Sequence, residues 1–254
     1  MARDWLWGDL PEGFKKIRLD RTRTLAVRAD MEKLLVAELT ADSSGRADSP
    51  FYGRGRLAVL KLDGGGRALA RSYRHGGLLG GFTGPFFFTW PPRPLRELCV
   101  TEEARRRGVP TVEVLAASVE RVCGPLYRCR LVTRELEGAR DVWTILRQDS
   151  FPDGAKEALL AAMARSVRAM HRRGVDHGDL NLKNILARRE GQGFKSYVID
   201  FDKSRLFSGD LPAARAEKNL ARLGRSIRKL DPGRRYLSPR DWEVFLARYR
   251  EAGG

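Results

Sequence analysis

Short apolar stretches separated by turn residues occupy the first half of the chain, whereas the second half repeats apolar residues at the spacing of helices. Residues 51–62 and 67–73 lie on either side of the turn Asp63-Gly64-Gly65-Gly66, which is the pattern of a β-hairpin. Further strands are predicted at residues 112–115, 121–123 and 127–133. The first half is therefore predicted to form a small antiparallel sheet.

One helix interrupts these strands. It is predicted over residues 94–107, because Pro94 suits the first turn of a helix and Gly108 suits its end. Nearer the N-terminus, residues 21–40 alternate loosely and predict either a short helix or a pair of strands. The small polar residues 41–50 indicate a loop.

The second half is predicted to be mainly helical. Residues 155–173 place five apolar side chains on one face, namely Leu159, Leu160, Met163, Val167 and Met170. A basic helix is predicted over residues 217–229, and a last helix is predicted to begin after Ser238-Pro239. Two short strands, residues 184–187 and 197–200, complete an α+β pattern.

A group of polar residues with fixed spacing lies between these elements. His177-Gly178-Asp179 is followed by Asn184, five residues after the aspartate, and by Asp200 at the end of a short apolar strand. Phosphoryl transfer from ATP needs a carboxylate near the attacking hydroxyl, together with an amide oxygen and a second carboxylate on Mg²⁺. Asp179 matches the catalytic role, and Asn184 and Asp200 match the metal ligands. The alternative is a polar turn between a helix and a strand.

The first half carries candidate nucleotide-binding residues. Gly53 and Gly55 open the predicted hairpin and would let the backbone approach phosphate groups, although this short motif is common. Arg71 lies where a kinase has a nucleotide-holding lysine, and Arg74 is its rival for that role. Glu97, on the predicted helix, is the candidate ion-pair partner of Arg71.

Two further residues complete the predicted nucleotide site. Glu135 follows the last strand of the sheet, where a hinge would offer backbone groups to an adenine ring. Lys183 is a candidate for neutralising charge on the transferred phosphoryl group. The boundary between two lobes is predicted near residue 136, so residues 1–136 would form the nucleotide-binding sheet, with residues 1–50 as an extension. Residues 137–254 would form the helical lobe with the catalytic and metal-binding loops.

Composition narrows the class of partner. With 48 Lys and Arg against 32 Asp and Glu, the formal charge is +16, which favours an anionic acceptor or an acidic membrane surface. No run of about 18 apolar residues is present, and the first residues lack a secretory pattern, so a cytoplasmic location is expected. Cys99, Cys123 and Cys129 lack metal-type spacing and are interpreted as reduced thiols.

Two extended strings carry a family resemblance. HGDLNLKNIL at residues 177–186 and VIDFDKSR at residues 198–205 resemble the lipopolysaccharide core sugar kinases, and within them most closely the kinases of 3-deoxy-D-manno-octulosonic acid (Kdo). The resemblance extends over about residues 50–206 and includes the segments around Gly53 and Tyr73. It implies a two-lobed protein-kinase-like fold with a small antiparallel-sheet N-lobe and a mainly helical C-lobe.

The same resemblance implies ATP and Mg²⁺, with Kdo attached to lipid A as the acceptor and its 4-hydroxyl as the site of phosphorylation. The expected location is the inner face of the bacterial inner membrane. The acceptor is polyanionic, which gives the positive charge a physical purpose, and Lys203 and Arg205 are candidates for contacting it. Nucleic acid is not an expected partner.

Departures from protein kinases and from this family leave alternatives open. Gly178 replaces the arginine of the usual motif, Asp202 replaces the glycine after Asp200-Phe201, and no Ala-Pro-Glu follows. His75 and the aromatic segment 82–90 also differ from the family pattern, and that segment could pack in the core, cover the site or contact lipid. Trp5 and Trp7 are interpreted as packing on the domain, with a membrane interface as the alternative. The alternative functions are a heptose, aminoglycoside or protein kinase, a pseudokinase scaffold, or a nucleic-acid binder.

Overall fold

The computed structural model describes residues 9–40, 57–63, 65–73, 86–89, 91–151 and 154–252. Gly53, Gly55 and Arg74 lie outside these residues, as do Trp5, Trp7 and most of segment 82–90. Contacts divide the chain into two compact units, residues 1–102 with 113–135 and residues 103–112 with 136–254. Residues 103–112 therefore group with the second unit, and the single lobe boundary near residue 136 stays a prediction.

The first unit contains a six-stranded antiparallel sheet. Its strands are β1 (Phe14–Arg18), β2 (Arg23–Arg28), β3 (Leu57–Lys61), β4 (Arg67–Ser72), β5 (Val114–Cys123) and β6 (Leu126–Arg134). Their spatial order is β1-β2-β5-β6-β4-β3. The predicted hairpin at residues 51–73 corresponds to β3 and β4, whose pairing runs from Leu57 opposite Arg71 to Lys61 opposite Arg67.

The sequence prediction divided β5 wrongly. Two strands were expected, at residues 112–115 and 121–123, but one strand of ten residues extends over both. Between them lie Ala116, Ala117 and Ser118, which have modest intrinsic preference for strands. Ala116 and Ala117 are fully buried between two layers of side chains, so packing decides the conformation that local propensity leaves open.

Each face of the sheet is covered by a helix. On one face, helix α1 (Glu32–Thr40) buries Leu35 against a cluster that includes Leu25 and Val132. On the other face, helix α2 (Arg93–Arg106) places Leu95 and Leu98 in a second cluster with Tyr127. Residues 21–40 thus form both a strand and a helix. The division between the two units falls within α2, after Glu102.

The second unit is mainly helical. Its helices are α3 (Val142–Gln148), α4 (Ala155–Arg172), α5 (Ala213–Leu230) and α6 (Pro239–Glu251). Its short strands are β7 (Arg140–Asp141), β8 (Val175–Asp176), β9 (Ile185–Glu190), β10 (Gly193–Val198) and β11 (Arg205–Leu206). They form two small sheets, ordered β10-β9-β7 and β11-β8.

Local chemistry explains where these helices begin. The Asp141 side chain accepts a hydrogen bond from the Thr144 N–H at 3.0 Å and caps α3, which was not predicted. Ser238 and Asp241 form a reciprocal capping box at the start of α6, next to Pro239 in its first turn. Helix α5 begins four residues before the predicted start, directly after Pro212.

Helix α4 is the centre of the second unit. Its apolar face is buried, and it packs against both β10 and α6. Near its end, the His171 Nδ1 and the Tyr249 hydroxyl of α6 lie 2.7 Å apart and form a buried hydrogen bond. Burial lowers the pKa of His171 from 6.5 to about 4. Among the described residues, no helix is long and apolar enough to cross a bilayer.

This buried histidine predicts an acid-sensitive fold. The unfolded chain protonates His171 below pH 6.5, whereas the folded chain keeps it neutral until about pH 4. Its contribution is complete above pH 6.5 and decreases by about 3 kcal/mol as the pH falls to 4. Urea unfolding of wild type and His171→Gln between pH 4.5 and 7 measures this. The variant should show the shallower loss of stability with acid, and parallel curves would contradict the prediction.

Candidate active site

Asp179 lies in the loop after β8, where two asparagine side chains bond its backbone. Asn181 Nδ2 and Asn184 Nδ2 both donate to the Asp179 backbone oxygen, at 2.8 and 2.9 Å. Asn181 Oδ1 in turn accepts from the Lys183 N–H at 3.0 Å and starts a short 3₁₀ turn, Leu182–Asn184. These bonds fix the loop on the C-terminal side of Asp179, so the carboxylate projects from an ordered backbone.

The two predicted metal ligands lie on neighbouring backbone. The Ile199 N–H donates to the Asn184 oxygen at 2.9 Å, directly before Asp200. Asp200 has a φ of 70°, a left-handed conformation that is uncommon for a residue other than glycine. Because Asn184 Nδ2 is used within the loop, its amide presents Oδ1 as the oxygen that a cation would contact.

The imidazole of His177 connects these two segments. Its Nδ1 accepts from the Asp179 N–H at 3.0 Å, and its Nε2 lies 3.0 Å from the Ile199 carbonyl oxygen. The partners assign the proton to Nε2, because a carbonyl can only accept. His177 is fully buried, and burial lowers its pKa, so the ring is held neutral. One neutral side chain therefore ties the Asp179 loop to the Asp200 segment.

Helix α5 anchors the same loop from behind. Asn219 Oδ1 accepts from the His177 N–H at 2.9 Å, and its Nδ2 donates to Asp176 at 2.6 Å. Arg222 donates to the His177 oxygen at 2.9 Å, and Arg215 pairs with Asp176 at 3.1 Å. These residues were missed from the sequence, where α5 was only a basic helix. The available signal was Asn219, a polar residue on the buried stripe of an amphipathic helix.

Within the first unit, Arg71 and Glu97 form an ion pair. Arg71 Nη2 on β4 lies 2.7 and 2.8 Å from the two carboxylate oxygens of Glu97 on α2. The Tyr73 hydroxyl donates to the same carboxylate, and the Arg71 guanidinium lies over the Tyr73 ring at 4.9 Å. Glu97 is buried. The pair orients the guanidinium, and its role in nucleotide binding stays a prediction.

The other candidate residues occupy varied positions. The Glu135 N–H donates to the Arg67 oxygen at 2.9 Å and its carboxylate pairs with Arg67 at 2.5 Å, so a contact with adenine would rest on its carbonyl group. Lys183, Lys203 and Arg205 are exposed in the second unit. Their roles toward the phosphoryl group and the acceptor stay predictions.

The donor set suits a hard divalent cation such as Mg²⁺, which prefers amide and carboxylate oxygens and retains several waters. Among the described residues, no group of three or more His, Cys, Asp and Glu side chains could hold a metal. A site built from Asn184 and Asp200 has a single carboxylate and an amide, so it is not a group of that kind. The orientation of the Asn184 amide fits this cation.

Comparison with known proteins identifies the family. The model of the lipopolysaccharide kinase (Kdo/WaaP) family matches residues 53–249, more than half of the chain. The chain belongs to this family. The recognition made from the strings around Asp179 and Asp200 is therefore confirmed, and so is the kinase class at the level of the family.

Several curated relatives are similar to this chain in sequence, and each is named 3-deoxy-D-manno-octulosonic acid kinase. The Actinobacillus succinogenes protein is 32% identical over 81% of this chain and 85% of its own length. The Vibrio cholerae protein is 34% identical over 73% of this chain and 75% of its own. The Xylella fastidiosa 9a5c protein is 35% identical over 65% of this chain, and the match spans 63% of that relative.

A solved structure shares the fold. WaaP, described in complex with acyl carrier protein, matches with a TM-score of 0.58 and 23% identity over 89% of this chain and 88% of the other. This likeness confirms the predicted α+β, protein-kinase-like fold. The sheet of the first unit and the helices of the second are its two components.

In this member of the lipopolysaccharide kinase family, packing explains why Gly178 replaces the arginine of the protein-kinase motif. A Cβ on Gly178 would collide with the backbone oxygen and the Cβ of Lys203. The loop before Asp179 and the segment after Asp200 therefore approach each other more closely than a side chain permits. An arginine at this position is excluded by the same contact.

We expect Gly178→Ala to destabilise the second unit by about 1–3 kcal/mol, because the added methyl group overpacks a site made of backbone. Gly233→Ala is the matched control, since no heavy atom lies within 4 Å of a Cβ there and a surface change costs at most about 0.5 kcal/mol. Urea unfolding compares the two. Equal stability of both variants would show that the two segments separate easily.

Proposed function

We propose that this chain is an ATP-dependent kinase that phosphorylates a sugar hydroxyl of the lipopolysaccharide inner core, namely the 4-hydroxyl of Kdo on lipid A. Membership in the Kdo/WaaP family supports a kinase that acts on lipopolysaccharide. The observation that carries the site is the hydrogen bond from Asn184 Nδ2 to the Asp179 oxygen, which joins the predicted base to the predicted metal ligand. The relatives' names support Kdo as the acceptor.

In this mechanism Asp179 orients the acceptor hydroxyl and takes its proton as the phosphoryl group is transferred. The backbone of Asp179 is bonded on both sides, by His177 at its N–H and by two asparagines at its oxygen, so its position needs little rearrangement. Asn184 and Asp200 would hold Mg²⁺, which when bound neutralises charge on the phosphates. Arg71, oriented by Glu97, would contact the α- and β-phosphates, with Gly53 and Gly55 shaping the loop over them.

The charge of the protein favours an anionic acceptor. Lys183, Lys203 and Arg205 are exposed cations near Asp179, Asn184 and Asp200 in the chain, and the whole chain carries +16. A site for cationic aminoglycosides would need acidic residues instead. With a lipid-linked acceptor, the enzyme would work on the cytoplasmic surface of the inner membrane.

Mass spectrometry of lipid A carrying Kdo, incubated with the protein and Mg²⁺–ATP, tests this proposal. One added phosphate on Kdo is the expected product, and fragmentation locates it at the 4-hydroxyl. Lipid A without Kdo and an aminoglycoside serve as alternative acceptors. Transfer to either of them, with none to Kdo, would assign a different acceptor.

We expect Asp179→Asn to lower turnover by about 10²–10⁴-fold, the range of general-base catalysis, while ATP affinity stays close to that of wild type. The amide has the same shape but cannot take a proton. Isothermal titration with Mg²⁺–ATP and the rate of phosphate transfer separate the two effects. Loss of both together would contradict the assignment of Asp179 as base.

A further inference from the structure

We infer that the tip of the β5–β6 hairpin, together with the adjoining segment Phe86–Thr89, docks on an anionic lipid bilayer. This inference deepens the proposed function, which places the acceptor in a membrane. The tip patch is defined here as the apolar side chains of Phe88, Val122 and Leu126 with the guanidinium groups of Arg121 and Arg128.

Backbone pairing places the segment of Phe88 next to the hairpin. Phe87 and Tyr127 exchange two hydrogen bonds of 2.9 Å, and their buried rings lie 6.0 Å apart in the core beneath α2. Side chains alternate across a strand, so the neighbours of this pair point to the opposite face. Phe88 and Leu126 are therefore on the same outward face, and the buried pair keeps them there.

These apolar side chains are unusually exposed. Phe88 is 72% exposed, Val122 46% and Leu126 37%, and they are the exposed large hydrophobic residues among those that the structure describes. Single exposed apolar residues are ordinary, but here all three lie at one end of one sheet. The core behind them is closed by Tyr127 and Phe87, so they cannot turn inward without unpacking it.

Cations accompany the apolar residues. Arg128 is exposed and its guanidinium lies 4.9 Å from the centre of the Phe86 ring, and Arg121 is exposed and donates to the Arg21 oxygen at 3.2 Å. Two acids lie nearby: Glu120 is half-buried and lies in register between Arg23 and Arg128, and Asp20 forms an ion pair with Arg23 at 2.7 Å. The balance of charge around the apolar tips is thus positive.

This combination matches a lipid interface better than a protein partner. A specific protein interface buries about 800 Å² on each side, far more than three side chains on a hairpin tip supply. A bilayer instead accepts a few apolar side chains at headgroup depth, and its anionic headgroups attract flanking arginines. The rigid pairing of the hairpin presents both at once.

Vesicle sedimentation tests the inference, with phosphatidylcholine alone and with phosphatidylglycerol added. Wild type should bind the anionic vesicles. The double variant Phe88→Ser with Leu126→Ser should bind them with an affinity lower by a factor of about ten or more, since the two side chains no longer insert. Ile17→Ser is the matched control, because it removes a half-buried hydrophobic group from β1, an edge strand of the same sheet that is not part of the tip patch. Arg121→Ser with Arg128→Ser should remove the preference for phosphatidylglycerol.

A native probe makes the test independent of the folding of any variant. Cys123 is exposed in the tip itself, whereas Cys129 is buried and Cys99 is partly buried. The fluorescence emission of an environment-sensitive dye on Cys123 of the otherwise wild-type chain should shift to shorter wavelength when anionic vesicles are added. An unchanged spectrum, or vesicle binding by the Phe88 and Leu126 variant equal to wild type, would overturn the inference. Binding to an acidic carrier protein and not to vesicles would also overturn it.

Two acceptor forms separate this inference from the proposed function. The patch variant should phosphorylate a water-soluble, deacylated Kdo acceptor at the wild-type rate and lose activity only on acceptor embedded in vesicles. If wild type phosphorylates neither form but still binds anionic vesicles through the tip, the acceptor is wrong and the docking surface stands. Equal activity of variant and wild type on embedded acceptor would count against docking.

Discussion

One uncharged, buried imidazole holds the candidate site of the second unit together. His177 accepts from the backbone of Asp179 and donates to the carbonyl directly before Asp200, so the predicted base and the predicted metal ligand are positioned by the same ring. Its own backbone is bonded on both sides to α5, through Asn219 and Arg222. Because a buried charge costs several kcal/mol, burial keeps the ring in the one protonation state that satisfies both partners.

Close backbone packing accompanies this network. The loop before Asp179 and the segment after Asp200 meet at Gly178 and Lys203, where no side chain fits. In a protein kinase the corresponding arginine reads a phosphorylated activation loop, and here the space for it does not exist. The geometry at this position of the motif is therefore fixed by close backbone packing within the unit.

Arginine side chains of the described residues lie in two kinds of position. Some arginines are directed inward, where Arg71 pairs with the buried Glu97 and Arg222 holds a backbone carbonyl. Others, such as Arg121 and Arg128, remain exposed beside apolar residues at the tip of a hairpin. Charge at the first kind of position holds neighbouring groups of its own unit, and charge at the second lies on the surface of the protein. A count of charges alone does not separate the two.

The sequence by itself determined the family, the fold class and the spacing of Asp179, Asn184 and Asp200, because these depend on residue types at short, fixed separations. Helix α4 was predicted to within one residue from its apolar period, since that period is a local property. Only the tertiary structure decided that Ala116 to Ser118 continue a strand, that Asn219 bonds Asp176 across 43 residues, and that Phe88 lies beside Leu126. Burial and hydrogen bonding at those positions depend on segments far apart in the chain. A local sequence pattern does not show which distant segment will pack against a given residue.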